Sequence, residues 1–137
     1  MKAKASLRYL RITPRKVRVV ADLIRGKNVN AALAQLAYVE KRAAEPLAKL
    51  LRSAVANAEQ SAKDQSLDVD RLTVKELMVD QGPSLRRYMP RAMGRAFKIQ
   101  KKTSHISLTL SDEKPEKRAS RATGGVRRTQ HTTTRRS

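Results

Sequence analysis

Hydrophobic and polar residues alternate at the start of the chain, which predicts a β-strand over residues 3–12. One side of this strand consists of Ala5, Leu7 and Tyr9, and the other consists of Lys4, Ser6 and Arg8. Successive strand residues point to opposite faces of a sheet. We therefore expect a strand with one buried face and one cationic face.

Three helices are predicted after this strand, because apolar residues recur there every three or four positions. Thr13 and Pro14 suit the N-cap and first turn of the first helix, and Gly26 ends it. Asn28 can cap the second helix, and the third covers about residues 40–60. The apolar stripes are Val17, Val20, Ala21 and Ile24 in the first helix, Val29, Leu33 and Leu36 in the second, and Ala44, Leu47, Leu51, Ala54, Val55 and Ala58 in the third.

The pattern from residue 72 to residue 110 predicts two strands joined as a long hairpin. Their apolar positions are Leu72, Val74, Leu77 and Val79 in one strand, and Phe97, Ile99, Ile106, Leu108 and Leu110 in the other. Each strand changes parity once, which indicates a β-bulge or burial on both sides, and the two changes could lie opposite each other. Arms of about 20 residues could reach ~60 Å. The outer part, Gln81 to Ala96, shows almost no apolar alternation, so we expect a partner to order it.

Charge is distributed unevenly along the chain. Residues 1–18 contain seven Lys and Arg without an acidic residue, and residues 81–111 contain seven more, again without Asp or Glu. Residues 19–80 carry nine basic and nine acidic side chains. Segments of like charge repel themselves until a polyanion neutralises them, and the net charge of +19 implies salt-dependent affinity for phosphate. A neutral body with cationic extensions is therefore predicted to bind nucleic acid.

Composition narrows the class and the location. The 137 residues suit one domain, and its core must be aliphatic because the chain has one Phe, three Tyr and no Trp. The absence of Cys excludes disulfides, thiolate nucleophiles and Cys-ligated zinc. Neither a membrane-spanning run nor a signal peptide is predicted, so the expected location is the cytosol.

The composition changes again at Ser111, where Lys, Arg, Ser, Thr and Gly become dominant. We therefore divide the chain into a nucleic-acid-binding domain at 1–110, with an extended hairpin at about 80–100, and a basic tail at 111–137. Such a tail is expected to be disordered when free.

A pair of aspartates and two histidines are the residues that could indicate an enzyme. Asp68 and Asp70 form a D-x-D pair that could hold a divalent metal in a nuclease, with His105 as general base. A solvated turn before a strand is the favoured interpretation, because no third carboxylate cluster or histidine partner supports a site. His131 lies in the tail without a motif. We predict no enzymatic activity, no metal site and no cofactor.

Basic, hydroxyl and aromatic residues form a candidate RNA-binding set. The segment from Lys101 to His105 places donors in one short stretch, which suits phosphate and sugar contacts, although a solvated strand end is the alternative. The segment from Arg86 to Arg91 adds Tyr88, and Arg and Tyr can stack on exposed bases of folded RNA. The predicted RNA-binding residues are Arg8, Arg11, Arg15, Lys16, Arg18, Arg86, Arg87, Arg91, Arg95, Lys98, Lys101, Lys102, Thr103, Ser104 and His105.

Several motifs resemble one family, the bacterial-type large-subunit ribosomal protein twenty-two. Residues Pro14 to Arg18 and Ala21 to Lys27 resemble its opening, and Ser53 to Glu59 resembles its long helix. Its hairpin and return strand are similar to Val79–Pro83, Pro90–Ala96 and Lys102–Ile106. The resemblance covers about Leu7 to Leu110, in order and with compatible spacing. Gln81 and Met93 depart from it, since the family usually has Glu or a similar residue at the first position and often a basic residue at the second.

The resemblance implies an α+β fold in which three helices pack against a three-stranded antiparallel sheet. It also implies a hairpin that reaches into the RNA of the large subunit, with its tip in the wall of the nascent-peptide exit tunnel. The implied tunnel-lining residues are Arg86, Arg87, Tyr88, Met89, Pro90 and Arg91. Changes that confer macrolide resistance in the family map to about Leu85 to Met93.

The sequence is best interpreted as a ribosomal protein that binds large-subunit ribosomal RNA, neighbouring ribosomal proteins and the nascent peptide. The alternative is a nucleoid-type architectural protein that bends DNA with a basic β-arm. Such an arm usually comes from a dimer, and we expect no homo-oligomer here because the helices leave no obvious apolar dimer face. The size of the free protein discriminates between the two. A membrane-lytic protein is excluded because the cationic segments lack a sustained apolar stripe.

Overall fold

Three helices pack on a three-stranded antiparallel sheet in the computed structural model, which describes residues 2–62 and 69–112. The strands are β1 (Lys2–Leu10), β2 (Thr73–Pro90) and β3 (Ala96–Ser111), and the helices are α1 (Pro14–Ile24), α2 (Val29–Tyr38) and α3 (Ala44–Ser61). Short 3-10 turns lie at Val69–Arg71 and Ala92–Gly94. The α+β fold and the three-stranded sheet are as predicted.

The sheet has the order β1-β3-β2, so the last strand in the chain is the central one. Helix α3 packs on β1 and β3, α1 packs on β2 and β3, and α2 covers α3. The core between these layers is almost entirely aliphatic, with Leu51, Val74 and Leu110 fully buried. Leu, Val and Ala stripes at helical spacing therefore meet the alternating apolar face of the sheet, as the pattern predicts.

The helices begin close to the predicted residues, except for the start of α3. Thr13 is the N-cap of α1 by position, but its side chain makes no capping hydrogen bond, and Pro14 is buried in the first turn. The side chain of Asn28 caps α2 by accepting from the amide of Asn30 at 3.0 Å. Helix α3 begins at Ala44 and not near residue 40, because the preceding residues form a turn closed by the Ala44 amide and the Lys41 carbonyl at 2.7 Å.

Strand β1 contains a bulge that the sequence pattern did not predict. Leu7 pairs with Ile106 and Leu10 pairs with Ser104, so one extra residue lies between these pairs on β1. Tyr9 has a φ of 59° and is 60% exposed, whereas the alternation placed it on the buried face. The bulge shifts the parity, and Leu10 packs against the core in its place.

Strand β2 contains two bulges opposite a regular β3. The first lies between Val74 and Glu76, opposite Leu110 and Thr109, and accounts for the predicted change of parity in this strand. The second lies between Gln81 and Ser84, opposite Ser104 and Lys102. The prediction that the parity changes of the two strands lie opposite each other is wrong, because the change in β3 faces this second bulge.

Candidate nucleic-acid interface

Beyond its second bulge the hairpin has no helix packed on it in the described ranges 2–62 and 69–112. Pairing continues from Ser84 and Lys102 to Pro90 and Ala96, and we call residues 84–102 the outer hairpin and the other described residues the body. Nearly every side chain of the outer hairpin is exposed. This segment carries all seven basic residues of the range 81–111 and no acidic one, so its cations are open to solvent.

The base of the outer hairpin depends on a close approach between β2 and β3. The backbone at Gly82 is so near β3 that an added Cβ would lie 2.5 Å from Thr103 Oγ1 and 3.0 Å from His105 Nε2. The Thr103 hydroxyl donates to the Pro83 carbonyl at 2.7 Å and locks the bulge. Glycine is therefore required at position 82 because a side chain would not fit. Backbone conformation is not the reason, since the φ of Gly82 is not in the left-handed region.

The register divides the outer hairpin into two faces. Residues paired across two antiparallel strands share a face, so one face consists of Leu85, Arg87, Met89, Phe97, Ile99 and Lys101, and the other consists of Ser84, Arg86, Tyr88, Lys98, Gln100 and Lys102. The first face is mixed apolar and cationic, and the second is cationic and polar. Within the predicted outer part, Gln81 to Ala96, the first face carries only Leu85 and Met89 as apolar residues, with Arg87 between them. Its other apolar residues, Phe97 and Ile99, belong to the predicted return strand.

The tip is a tight turn closed by the amide of Arg91 and the carbonyl of Arg95 at 2.8 Å. Met93 and Gly94 both have positive φ, 59° and 67°, and Met93 is 92% exposed. The Arg91 guanidinium lies 5.6 Å from the centre of the Phe97 ring, which is within the range of a cation–π contact. The tip therefore presents large apolar side chains together with cations.

The basic residues of α1 and its C-cap have two different roles. Arg15 and Lys16 are exposed in the first turn of α1, which has no acidic residue to offset the positive end of the helix dipole. Arg18 instead donates from Nε and Nη2 to the Val79 carbonyl at 3.2 and 2.9 Å. Arg25 donates to the Leu77 carbonyl at 2.8 Å. Arg18 and Arg25 therefore fasten α1 to β2, and Arg15 and Lys16 are open to an anion.

Thr103 and Ser104 are buried, although both belong to the predicted RNA-binding set. The Ser104 hydroxyl donates to the Ile12 carbonyl, and that of Thr103 holds Pro83 as described. Both hydroxyls are used within the protein, so the geometry does not support their assignment as RNA contacts. The remaining predicted residues are exposed, except for the half-buried His105.

Next to His105 lies an aromatic residue that the RNA-binding set did not include. The Tyr9 amide donates to His105 Nδ1 at 3.0 Å, and the two rings meet edge to face with centres 4.8 Å apart. The Arg8 guanidinium lies 5.7 Å from the centre of the Tyr9 ring. Alternation alone assigned Tyr9 to the core, and only the bulge in β1 brings it to the surface.

The outer hairpin contains no acidic residue, and Asp80 lies beside His105 at its base. Asp70 accepts from Asn30 Nδ2 at 2.6 Å through its carboxylate, which ties the turn before β2 to α2. Asp68, its partner in the D-x-D pair, lies outside the described residues, as do His131 and the tail beyond Asp112. On α3, a hydrogen bond and charge attraction from Lys49 lower the pKa of the Glu45 carboxyl. Within the described ranges, no group of three or more His, Asp and Glu side chains is arranged to hold a metal ion.

Comparison with known proteins identifies the family. The family described as ribosomal protein L22p/L17e matches residues 5–111. The chain belongs to this family. The L22p/L17e match includes all three strands, so the bulges, the outer hairpin and the Tyr9–His105 contact lie within it. It also favours the ribosomal interpretation over the DNA-bending alternative.

Individual relatives are similar over most of the L22p/L17e chain. The large ribosomal subunit protein uL22 of Anaeromyxobacter sp. (strain K) is 63% identical over 106 residues, which cover 77% of this chain and 71% of the relative. The uL22 of Pelotomaculum thermopropionicum is 56% identical over 114 residues, or 83% of this chain and 98% of the relative. That of Myxococcus xanthus is 54% identical over 114 residues, or 83% and 99%.

No helix in the described part of the chain is both long and apolar enough to cross a membrane.

Proposed function

We propose that this protein binds large-subunit ribosomal RNA through the phosphate contacts of its outer hairpin and first helix, and that the hairpin tip lines the nascent-peptide exit tunnel. Its family makes it a structural, non-enzymatic component of the large ribosomal subunit, located with the ribosome in the cytoplasm. A component of the large ribosomal subunit associates with ribosomal RNA and with other ribosomal proteins.

The observation that carries the proposal is the exposure of the outer hairpin. A paired two-stranded ribbon with seven cations and no acid buries little against the body, so its fixed charges are free to meet a polyanion. Phosphate neutralisation releases counterions and is sequence-independent. The hairpin therefore contributes affinity through charge, and its narrow ribbon shape suits insertion between RNA segments.

Helix α1 supports the same proposal from the body. Arg15 and Lys16 lie where the helix dipole is already positive, an arrangement that costs stability until an anion is bound. Amides at a helix N-terminus are good donors to phosphate oxygens. Here, however, Pro14 has no amide hydrogen, and the amides of Lys16 and Val17 already donate to the Thr13 carbonyl at 3.0 and 3.3 Å. A phosphate at this position would therefore be held mainly by the two cations.

Salt dependence of RNA affinity tests the phosphate mechanism. Replacing Lys98 and Lys102 with Gln removes two cations from the polar face of the outer hairpin, so the slope of log affinity against log salt should fall by about two units. The matched control replaces Lys41 and Arg42, which are exposed between α2 and α3, and should leave the slope within about half a unit. Equal slopes in both double variants would contradict a hairpin-based mechanism.

Crosslinking in cells tests the identity of the nucleic acid. Ultraviolet crosslinking followed by sequencing of the attached fragments should recover large-subunit ribosomal RNA, with crosslinks at the outer hairpin. Recovery of chromosomal DNA would instead support the architectural alternative, and a dimeric free protein would point the same way.

The position of the tip is tested by a deletion of Leu85, Arg86 and Arg87. These residues pair with Lys101, Gln100 and Ile99, and removal of an odd number of residues moves Tyr88 to the opposite face of the ribbon. Ribosomes that carry the deletion should assemble, because the basic residues of α1 and of the hairpin base remain. Their tunnel density and macrolide sensitivity should change; normal subunits with both properties unchanged would remove the tip from the tunnel wall.

A further inference from the structure

Tyr9 combines two features that rarely occur together, an unfavourable backbone conformation and an exposed ring. Its φ of 59° lies in the left-handed region, which a bulky residue seldom adopts. The residue is 60% exposed, so burial of the side chain gains little in compensation. Strained positions of this kind are maintained where the surrounding structure enforces them, and they concentrate at functional sites.

The side chain of His105 holds both the backbone and the ring of Tyr9. Its amide donates to His105 Nδ1, and the imidazole meets the phenol ring edge to face. His105 itself is packed against the backbone of Gly82, where an added Cβ would lie 3.0 Å from Nε2. The ring is therefore fixed at the junction of the body and the outer hairpin before any partner binds.

The charges around this ring favour an anionic partner. Arg8 lies beside it at 5.7 Å, close to the ~6 Å limit of a cation–π contact, so its exposed guanidinium is free to shift when a ligand arrives. Residues 1–18 contain no acid. In the register, Asp80 lies beside His105 on β2, on the side of β3 away from Tyr9.

We propose that Tyr9 is a stacking site for one unpaired RNA base, with Arg8 contacting the phosphate or the base beside it. The proposal rests on the RNA-binding function proposed above and adds a contact that charge alone does not provide. An aromatic ring fixed in advance loses little freedom on binding, and any base has a face to offer it. A base within a regular duplex is inaccessible, so the ligand is a single-stranded or bulged nucleotide.

Tyrosine fluorescence gives a direct test, because the chain has no Trp and three Tyr. Tyr38 and Tyr88 are 87% and 72% exposed, so Tyr38→Phe with Tyr88→Phe leaves the core intact and Tyr9 as the only tyrosine. Full-length protein of this variant is titrated with a uridine oligomer and with inorganic polyphosphate of similar charge. The oligomer should quench the emission strongly and polyphosphate only weakly. Equal responses to the two anions would overturn the proposal.

Affinity measurements separate stacking from a merely structural role. Tyr9→Asn removes the ring and suits the left-handed backbone, since Asn adopts that conformation readily. Affinity for the uridine oligomer should fall about 5- to 150-fold, as expected for loss of one base–aromatic stack, while the salt slope stays unchanged. Tyr9→Phe should retain affinity within about twofold, and Arg8→Gln should reduce the salt slope by about one unit.

Each outcome is decisive. Unchanged affinity of Tyr9→Asn would refute the stacking site while the salt-dependent binding, and with it the RNA-binding function, would stand. A wild-type protein that does not bind the oligomer at any salt concentration would refute both.

Discussion

The body and the outer hairpin share two strands but differ in what holds them together. In the body, β3 pairs with β1 as well as with β2, helices cover the sheet, and residues such as Leu77 and Leu108 are buried. In the outer hairpin, among the residues that the structure describes, the same two strands pair only with each other, and Tyr88 is 72% exposed. One continuous ladder therefore passes from a region stabilised by apolar burial to one stabilised by backbone pairing.

This difference shows how a small domain can extend a long arm. A two-stranded hairpin alone is marginally stable in water. Here its register is set in the body, where the bulge at Gly82 and the Thr103 hydroxyl fix β2 against β3 before the two strands leave the sheet. The Ser104 hydroxyl adds a tie from β3 to Ile12, after β1. The arm is consequently free to present charge and aromatic rings, because it contributes little to the core.

The largest expected effect on stability is in the body. Its absence would show that apolar burial does not stabilise the body more than the outer hairpin. Leu51→Ala should lower the free energy of unfolding by about 2–5 kcal/mol, because Leu51 is fully buried in α3 and its loss leaves a cavity. Denaturant unfolding measures the change. Met93→Ala, at the exposed tip, is the control and should stay within about 0.5 kcal/mol.

The junction between the two regions should be the next most sensitive point. Gly82→Ala should cost about 1–3 kcal/mol, because the new methyl group overlaps Thr103 Oγ1. The double variant with Thr103→Ala removes that oxygen and should recover part of the loss in a double-mutant cycle. If the two changes were simply additive, the close approach at Gly82 would not be the cause.

A smaller effect should distinguish structural cations from those available to RNA. Arg18→Lys keeps the charge but loses the two-donor contact with the Val79 carbonyl, and it should cost about 1 kcal/mol in thermal or denaturant unfolding. Arg15→Lys, three residues earlier and exposed, should leave stability unchanged. Equal stability of both variants would show that Arg18 does not fasten α1 to β2.

The smallest effect on stability should come from the outer hairpin itself. Deletion of Leu85 to Arg87 should change the stability of the free protein by less than ~0.5 kcal/mol, a thermal shift of at most a few degrees. Calorimetry of wild type and deletion variant provides the measurement. Unfolding of the body by this deletion would mean that the two regions are one energetic unit.

The sequence predicted those parts of the fold that depend on local chemistry. Pro14 and Asn28 mark the starts of α1 and α2, and Leu51 lies on the apolar stripe that the helical spacing indicates. These features depend on backbone preferences and on periodicity within a single element, so they can be recognised without knowledge of any partner strand. The acid-free segments likewise predicted which surface is cationic.

The features that were missed depend on register between distant strands. The exposure of Tyr9 arises from an extra residue in β1 relative to β3, and the two faces of the outer hairpin arise from which residues lie opposite each other. The burial of Thr103 and Ser104 has the same origin. Both lie in β3 where it contacts β2 and the end of β1, but short polar side chains are usually interpreted as surface residues when only the sequence is known. Gly82 offered one signal, because a glycine within a strand often marks a bulge.

The unbroken course of β3 has a mechanical consequence. From Ala96 to Ser111 a single strand forms one edge of the arm and the middle of the sheet, so the arm behaves as a lever whose fixed end is clamped on both sides. A sideways force at the tip therefore produces its greatest bending moment where the third strand and the helices first provide support, beside Gly82 and Tyr9. The bending moment grows along the ribbon and is largest at this junction.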